Sequence, residues 1–380
     1  MLARFACRFS RAVSLSLLIA AIASLASAAT IYSQTNLVSD IPGLAAHADA
    51  NLVNPWGVAM SSTGPIWVSN EGTDTATIYN TAGVPLPLVV NIPPPPGGTF
   101  AGPTGQVFNG GSGFEINPGQ PARFLFATLS GAISGWNPGA TNAVVKVDNS
   151  GTDLAYTGLA IGNNGSGDFL YAADFGTGKI DVFDSSFAPA SLSGAFIDPT
   201  LPAGYSPFNI QNVGGSLFVM YALKDPDEPE EIPGAGLGYV SEFDTSGNFV
   251  RRLISNGPLN APWGIALAPA GFGGFSGSLL IGNFGDGTIQ AFDPVTGTHL
   301  GDLEDSPGHA IENEGLWGLT FGNGGQGGHS NVLYFTAGID DEDHGLFGAI
   351  AAVPEPGTVG FVLAGLVAIT LQGIRRKPTI

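Results

Sequence analysis

The chain has 380 residues, with 57 Gly, 28 Pro and only 11% charged residues against 44% hydrophobic ones. So much Gly and Pro excludes a predominantly helical fold, and so much apolar content excludes a disordered chain. The formal net charge is -19. Residues 30–353 hold six Lys/Arg and thirty Asp/Glu, a net of -24 (6 minus 30), which argues against nucleic acid and against anionic membrane surfaces as partners.

Residues 1–29 open with Arg4, Arg8 and Arg11, continue through the apolar run Ala12–Leu25, and end on Ala26-Ser27-Ala28. A basic start, a short apolar core and a small-x-small ending are the pattern of a secretory signal peptide. Cys7, the only cysteine, lies inside it. The remaining chain therefore has no disulfide, thiolate metal site or cysteine nucleophile.

From residue 30 onward the pattern is short apolar runs separated by Gly, Pro, Asn and Asp, which reads as antiparallel strands. Six copies of an innermost-strand signal follow one another: Pro55–Ala59, Pro103–Val107, Thr157–Ile161, Pro207–Ile210, Pro262–Ala266 and Leu316–Thr320. They recur every 48 to 55 residues, counting between Gly57, Gly105, Gly158, Asn209, Gly264 and Gly318. Each is followed by two or three further strand candidates. This spacing predicts an all-β, six-bladed β-propeller with four antiparallel strands per blade over residues 30–353. Outer strands are expected at Leu88–Ile92, Val144–Val147, Ala195–Ile197, Val250–Ile254 and Leu300–Leu303. The sixth is missing, and the N-terminal run Ile31–Val38 is expected to supply it, closing the last blade and removing its exposed edge. The glycines after Trp56, Trp263 and Trp317 suit backbones crowded at the axis, and the tryptophans are expected to pack between blades.

Polar residues that precede inner strands or follow second strands share one face in this topology. They are Asn54, Asn70, Asp174, Asn260 and Asn283. The acidic inserts Asp225–Glu231 and Asp340–His344 reach the same face, the latter carrying Glu342, Asp343 and His344. Oxygen ligands converging on a central mouth can bind Ca²⁺; the commonest job of Asn and Asp in such positions is to satisfy turn backbones. Asn283–Gly287 loosely echoes a calcium turn, but Asp174–Gly178 repeats it in another blade, which favours a turn role. No HExxH, GxSxG or phosphate-loop pattern occurs, no catalytic residue and no cofactor is indicated, and whether the protein is an enzyme stays open, with binding favoured.

The C-terminus reads Val353-Pro354-Glu355-Pro356, an apolar stretch at about 357–374, then Arg375-Arg376-Lys377. Residues 354–380 resemble the PEP-CTERM sorting signal of Gram-negative bacteria. That resemblance implies a transmembrane helix, an exosortase-type membrane protease as processing partner, and delivery to the cell surface or extracellular matrix after transient anchoring in the inner membrane. NLVNPWG at Asn51–Gly57, YAADFGTGKIDVFD at Tyr171–Asp184, LPAGYSPFNIQ at Leu201–Gln211, LNAPWGIALAP at Leu259–Pro269 and LLIGNFGDGTIQAFD at Leu279–Asp293 resemble a family of secreted bacterial propellers, many with such tails. The chain is more loosely similar to NHL-type and lactonase-like six-bladed propellers. These resemblances imply a surface or matrix protein that binds a glycan, polysaccharide or protein ligand, with a Ca²⁺-type lactonase or esterase as the alternative, and no nucleic acid partner.

Overall fold

The computed structural model describes residues 30–353 except Thr152 and Glu228. The expected signal peptide, the Pro354-Glu355-Pro356 motif, the apolar segment and the Arg375-Arg376-Lys377 cluster lie outside the described residues.

Six antiparallel blades form a β-propeller, and Ile31–Ala352 is one compact unit. The inner strands are Pro55–Ala59, Pro103–Phe108, Tyr156–Asn163, Tyr205–Val213, Pro262–Leu267 and Leu316–Phe321, at the six places where the repeat put them. In the last blade Tyr32–Ser39 lies antiparallel beside His344–Ala352, with Tyr32 opposite Ala352 and Ser39 opposite Leu346. Tyr32, Leu37 and Val38 on this strand are buried, so the closure joins the two ends of the propeller through a packed face as well as a ladder.

Glycine at the axis answers a steric demand. A Cβ on Gly57 would stand 2.4 Å from the Thr104 carbonyl oxygen, and one on Gly105 2.3 Å from the Leu159 nitrogen. On Gly264 it would stand 2.6 Å from the Trp317 oxygen, and on Gly318 2.7 Å from that of Trp56. Each inner strand thus abuts the backbone of the next, and blade 6 abuts blade 1. Asn209 holds the equivalent position in blade 4, where its Nδ2 donates to the Trp263 carbonyl at 2.8 Å.

One outer strand differs from expectation. Ala195–Ile197 forms no ladder strand, and blade 3 is a three-stranded sheet among the described residues. Phe196 has φ 53° and its N–H donates to the Gly247 carbonyl; Gly194 N–H donates to Ser246. The segment is tied to a turn of blade 4 instead of to its own blade, and Asp198 fixes it there through Arg252 and Ser241, each at 2.7 Å.

Candidate functional site

The tryptophans of the inner strands pack against residues of other blades, as their sequence context suggests, and they do so together at the axis. Trp56, Trp263 and Trp317 meet Phe175 and Phe208 in one buried cluster drawn from five blades. Each Trp precedes the glycine that abuts the next blade and falls where the ladder register shifts, between Pro55 and Val58, Pro262 and Gly264, and Leu316 and Leu319; such irregularities re-aim side chains. Trp56 stacks on Trp317 with ring centroids 3.5 Å apart, and Phe284 stacks on Trp317 at 4.2 Å. Trp263 meets both tryptophans edge-on at 6.0 and 5.8 Å. The channel is therefore divided by an aromatic floor.

On the side of the floor bearing the acidic inserts is a cup of about 540 Å³. Its walls combine this aromatic floor with Glu230 and Glu231 from the blade 4 insert, Glu314, and Asp341 and Glu342 from the blade 6 insert. Among the described residues no Lys, Arg or His lines it, and Lys224 Nζ lies over the ring of Phe175, which does line it. A second cavity of about 370 Å³ lies beyond the floor, lined by the later halves of the inner strands and including Gln106, Asn209 and Asn212.

Asn54 organises the cup. Its Oδ1 accepts from Trp317 Nε1 at 2.9 Å, while its Nδ2 donates to Glu342 at 2.6 Å and Glu71 at 2.9 Å. One amide thus ties the floor to two carboxyl groups. Glu342 enters from the turn Asp340-Asp341-Glu342, whose φ angles are 58°, 55° and 67°. Three consecutive left-handed non-glycine residues cost about 1–2 kcal/mol each, and such strain concentrates at functional sites.

Burial is the largest influence on the cup carboxyls. It pushes Glu231 up to about 8, with Glu342 and Glu230 adding repulsion. It pushes Glu342 up to about 7, against the Asn54 hydrogen bond and with the help of Glu71, Glu230 and Asp341. Glu71 is also raised by burial. Carboxyl groups that titrate near neutrality in an apolar cavity can bind cations or exchange protons.

The other sequence candidates serve the scaffold. Asn70 Nδ2 bonds the hydroxyls of Thr75 and Thr77, both at 3.0 Å. Asp174 accepts from the backbone of Ala155 and Thr177 and from the Thr177 hydroxyl. Asn283 bonds the Pro258 carbonyl and the Asn260 N–H, and Asn260 in turn holds Gly234 and Asp286. Asp343 is exposed outside the cup. His344 Nδ1 pairs with Asp40 Oδ2 at 2.6 Å, fastening the closing segment to blade 6. Among the described residues no group of three or more His, Cys, Asp or Glu side chains is placed to hold a metal ion; of the residues expected to share one face, Asn54 meets Glu342 and Asn260 meets Asn283, while Asn70 and Asp174 stay within turns of their own blades. Glu230, Glu231 and Asp341 also line the cup, and their signal is the acidic composition of the two inserts; Glu314, just ahead of the Leu316–Phe321 strand, lines it too and carries no such signal.

No protein-family model matches the chain. Two proteins of Acanthamoeba polyphaga mimivirus, described as uncharacterized proteins R648 and L690, are similar along most of its length. R648 is 37% identical over 338 residues, covering 85% of this chain and 81% of that protein. L690 is 35% identical over 332 residues, covering 83% and 84%. The chain belongs to the family of these viral proteins. Among solved structures, virginiamycin B lyase from Staphylococcus aureus matches with a TM-score of 0.50 and 14% identity, over 85% of this chain and 100% of that one. A protein of unknown function from Bacteroides thetaiotaomicron matches at 0.51 and 10%, over 85% and 76%. At those identities the likeness is of fold, and a fold hosts many activities. The family thus includes viral proteins, and the chain itself has the six-bladed fold.

Proposed function

We propose that the protein is an exported ligand-binding propeller whose site is the acidic cup over the aromatic floor. The observation that carries this reading is the convergence of two inserts, absent from the repeat, on one cavity whose floor five blades build. Inserts cost chain entropy and add nothing to the blade ladders, so their meeting at one cavity is accounted for by a ligand. Thermal shift of residues 30–353 against a panel of sugars, amino sugars, amino acids and lactones tests it. A ligand should raise the melting temperature of the wild type and leave Ala155→Phe, which fills the cup wall, unmoved. Equal shifts in both proteins would place binding elsewhere, and no shift in the wild type across the panel would remove the reading.

Hydrolysis is the second reading, favoured by the two carboxyls poised near neutrality, which suit proton transfer without a metal. Turnover of a lactone or ester by the wild type, lost in Glu231→Gln, would establish it; no turnover above background would exclude it for those substrates.

Export rests on the sequence of the two ends. The basic-apolar-small start and the Pro354-Glu355-Pro356, apolar, Arg375-Arg376-Lys377 order support passage across a membrane, transient anchoring and release to the surface or matrix by an exosortase-type protease. Mass spectrometry of surface-released protein should find an end near 354–356; an intact Arg375-Arg376-Lys377 on that material would rule out processing.

A further inference from the structure

We propose that Ser191–Phe196 is a movable strap: tied to blade 4 in this structure, it returns to the vacant ladder position beside Ile180 and closes its own blade 3.

The vacancy is defined by comparison with blade 1. There Asn80 N–H donates to the Val84 carbonyl, Leu86 N–H donates to Ile78, and Tyr79 bridges Pro85. Blade 3 repeats this start of an outer strand. Asp184 N–H donates to the Ala188 carbonyl, Ala190 N–H donates to Val182, and Phe183 bridges Pro189. Five and seven residues past the proline, blade 1 returns to its sheet: Val90 pairs with Ala76, and Ile92 N–H donates to the Asp74 carbonyl. The residues at the same distances in blade 3 are Gly194 and Phe196, and both donate to blade 4 instead. The edge they leave is the strand Lys179–Asp184, which pairs in unbroken register with Asp168–Asp174. Its Val182 carbonyl and Asp184 N–H face outward, so by ladder alternation the N–H and C=O of Ile180 face outward too. Among the described residues no backbone group on that side bonds them. An open edge of this kind is what sheets ordinarily cover.

The strap lies across a cavity of about 350 Å³ from that edge. Ile180 and Val182 line it from the edge, and Leu192, Gly194 and Phe196 line it from the strap. Two features hold the strap away. A Cβ on Gly194 would stand 2.0 Å from the Gly247 carbonyl carbon, so the present contact admits only glycine, where blade 1 has Val90. Asp198 is the latch: it is 6% exposed and accepts from Arg252 and Ser241. Phe196 is the pivot. It packs on Tyr171 and Phe243 between blades 3 and 4, just as Ile92 is buried between blades 1 and 2. Its side chain therefore serves both positions, and only the residues before it need to cross the cavity. Crossing exchanges the bonds to Ser246 and Gly247 for bonds to blade 3. It also releases Phe196 from φ 53°, a left-handed conformation that an outer strand does not require. The balance between the two positions is thus set by the glycine contact and the latch.

Residue-resolved hydrogen exchange of residues 30–353 tests this, because it reads which amides are bonded. In the wild type the Ile180 amide should exchange at least tenfold faster than that of Ala76, its paired counterpart in blade 1. Gly194→Val abolishes the contact with Gly247 and installs the blade 1 residue, so it should slow Ile180 exchange at least tenfold. Asp198→Asn weakens the latch and keeps the glycine, so it should slow Ile180 exchange by a smaller factor; if Gly194→Val fails to fold, this variant decides. Ile180 exchange unchanged in every variant that folds would overturn the strap. A wild-type Ile180 amide as protected as Ala76 would overturn it as well, because the ladder position would then not be vacant.

Discussion

At the scale of single residues, the cup sets a stability cost that follows from proton linkage. Burial pushes Glu231 up to about 8 and Glu342 up to about 7, above the ordinary carboxyl range. Between the unfolded and native values the folded protein holds more protons than the unfolded one, so stability falls as pH rises through that window. The sign is that of a raised acid: the contribution is full below about pH 4.5 and lost above the native values. Glu231→Gln and Glu342→Gln remove the titration. Each should flatten the decline in ligand-free melting temperature between pH 5 and 9. At pH 9 each should be more stable than the wild type by about 1–2 kcal/mol, well below the full shift because both side chains are partly solvated. A wild type whose melting temperature does not fall across that range would show that the carboxyls titrate normally. Asn54 was legible as a polar residue ahead of an inner strand, but its role was not. Its three partners lie 17, 263 and 288 positions away, and no local pattern encodes such a meeting. His344 was legible as a histidine among acids, yet its partner is Asp40, 304 positions distant.

At the scale of strands, the sequence was most informative where sterics repeat. Every inner strand was found because the axis demands a small residue or a backbone-bonding amide at one position, and that demand recurs with the blade. Gly264 shows its size. An added Cβ would stand 2.6 Å from the Trp317 oxygen and 2.8 Å from Leu319 Cγ, and neither backbone nor core can retreat freely. Gly264→Ala should cost about 1–3 kcal/mol as overpacking, read as a lower denaturation midpoint with an unchanged slope. An alanine tolerated within a few tenths of a kcal/mol would mean that the blades move apart easily. The outer strand of blade 3 was misread for the opposite reason. Ala195–Ile197 has an apolar run of ordinary strand composition, but Phe196 is left-handed and its amide is claimed by Gly247. Outer strands feel few neighbours, so composition constrains them least. That the tryptophans pack across blades is legible from their crowded glycines; that all three meet at the axis is not, because an apolar residue beside such a glycine reads the same whether it faces a neighbour or the axis.

At the scale of the whole molecule, the ring depends on one strand. Tyr32–Ser39 is the only part of the described chain before blade 1 that enters the last blade's ladder next to His344–Ala352. Without it that blade would expose an unpaired edge, a template for association with other chains. The loss is also one of packing. Tyr32, Leu37 and Val38 are 1%, 6% and 0% exposed, and burying side chains of this size contributes about 1.5–3 kcal/mol each. Their sum approaches the roughly 5–15 kcal/mol that holds an ordinary domain together. His344 adds a directional tie at this seam, since Asp40 accepts from it and from the Gly345 N–H at 2.9 Å. A chain beginning at residue 41 should therefore unfold at much lower denaturant than one beginning at residue 30, or aggregate through the free edge. A synthetic peptide of residues 30–40 should restore the ladder by strand addition, shifting the midpoint back in proportion to its concentration. A peptide with Leu37→Asp and Val38→Asp should fail, because the same backbone bonds would bury two charges. Full stability of the truncated chain, or equal rescue by both peptides, would show that the ring does not depend on this seam.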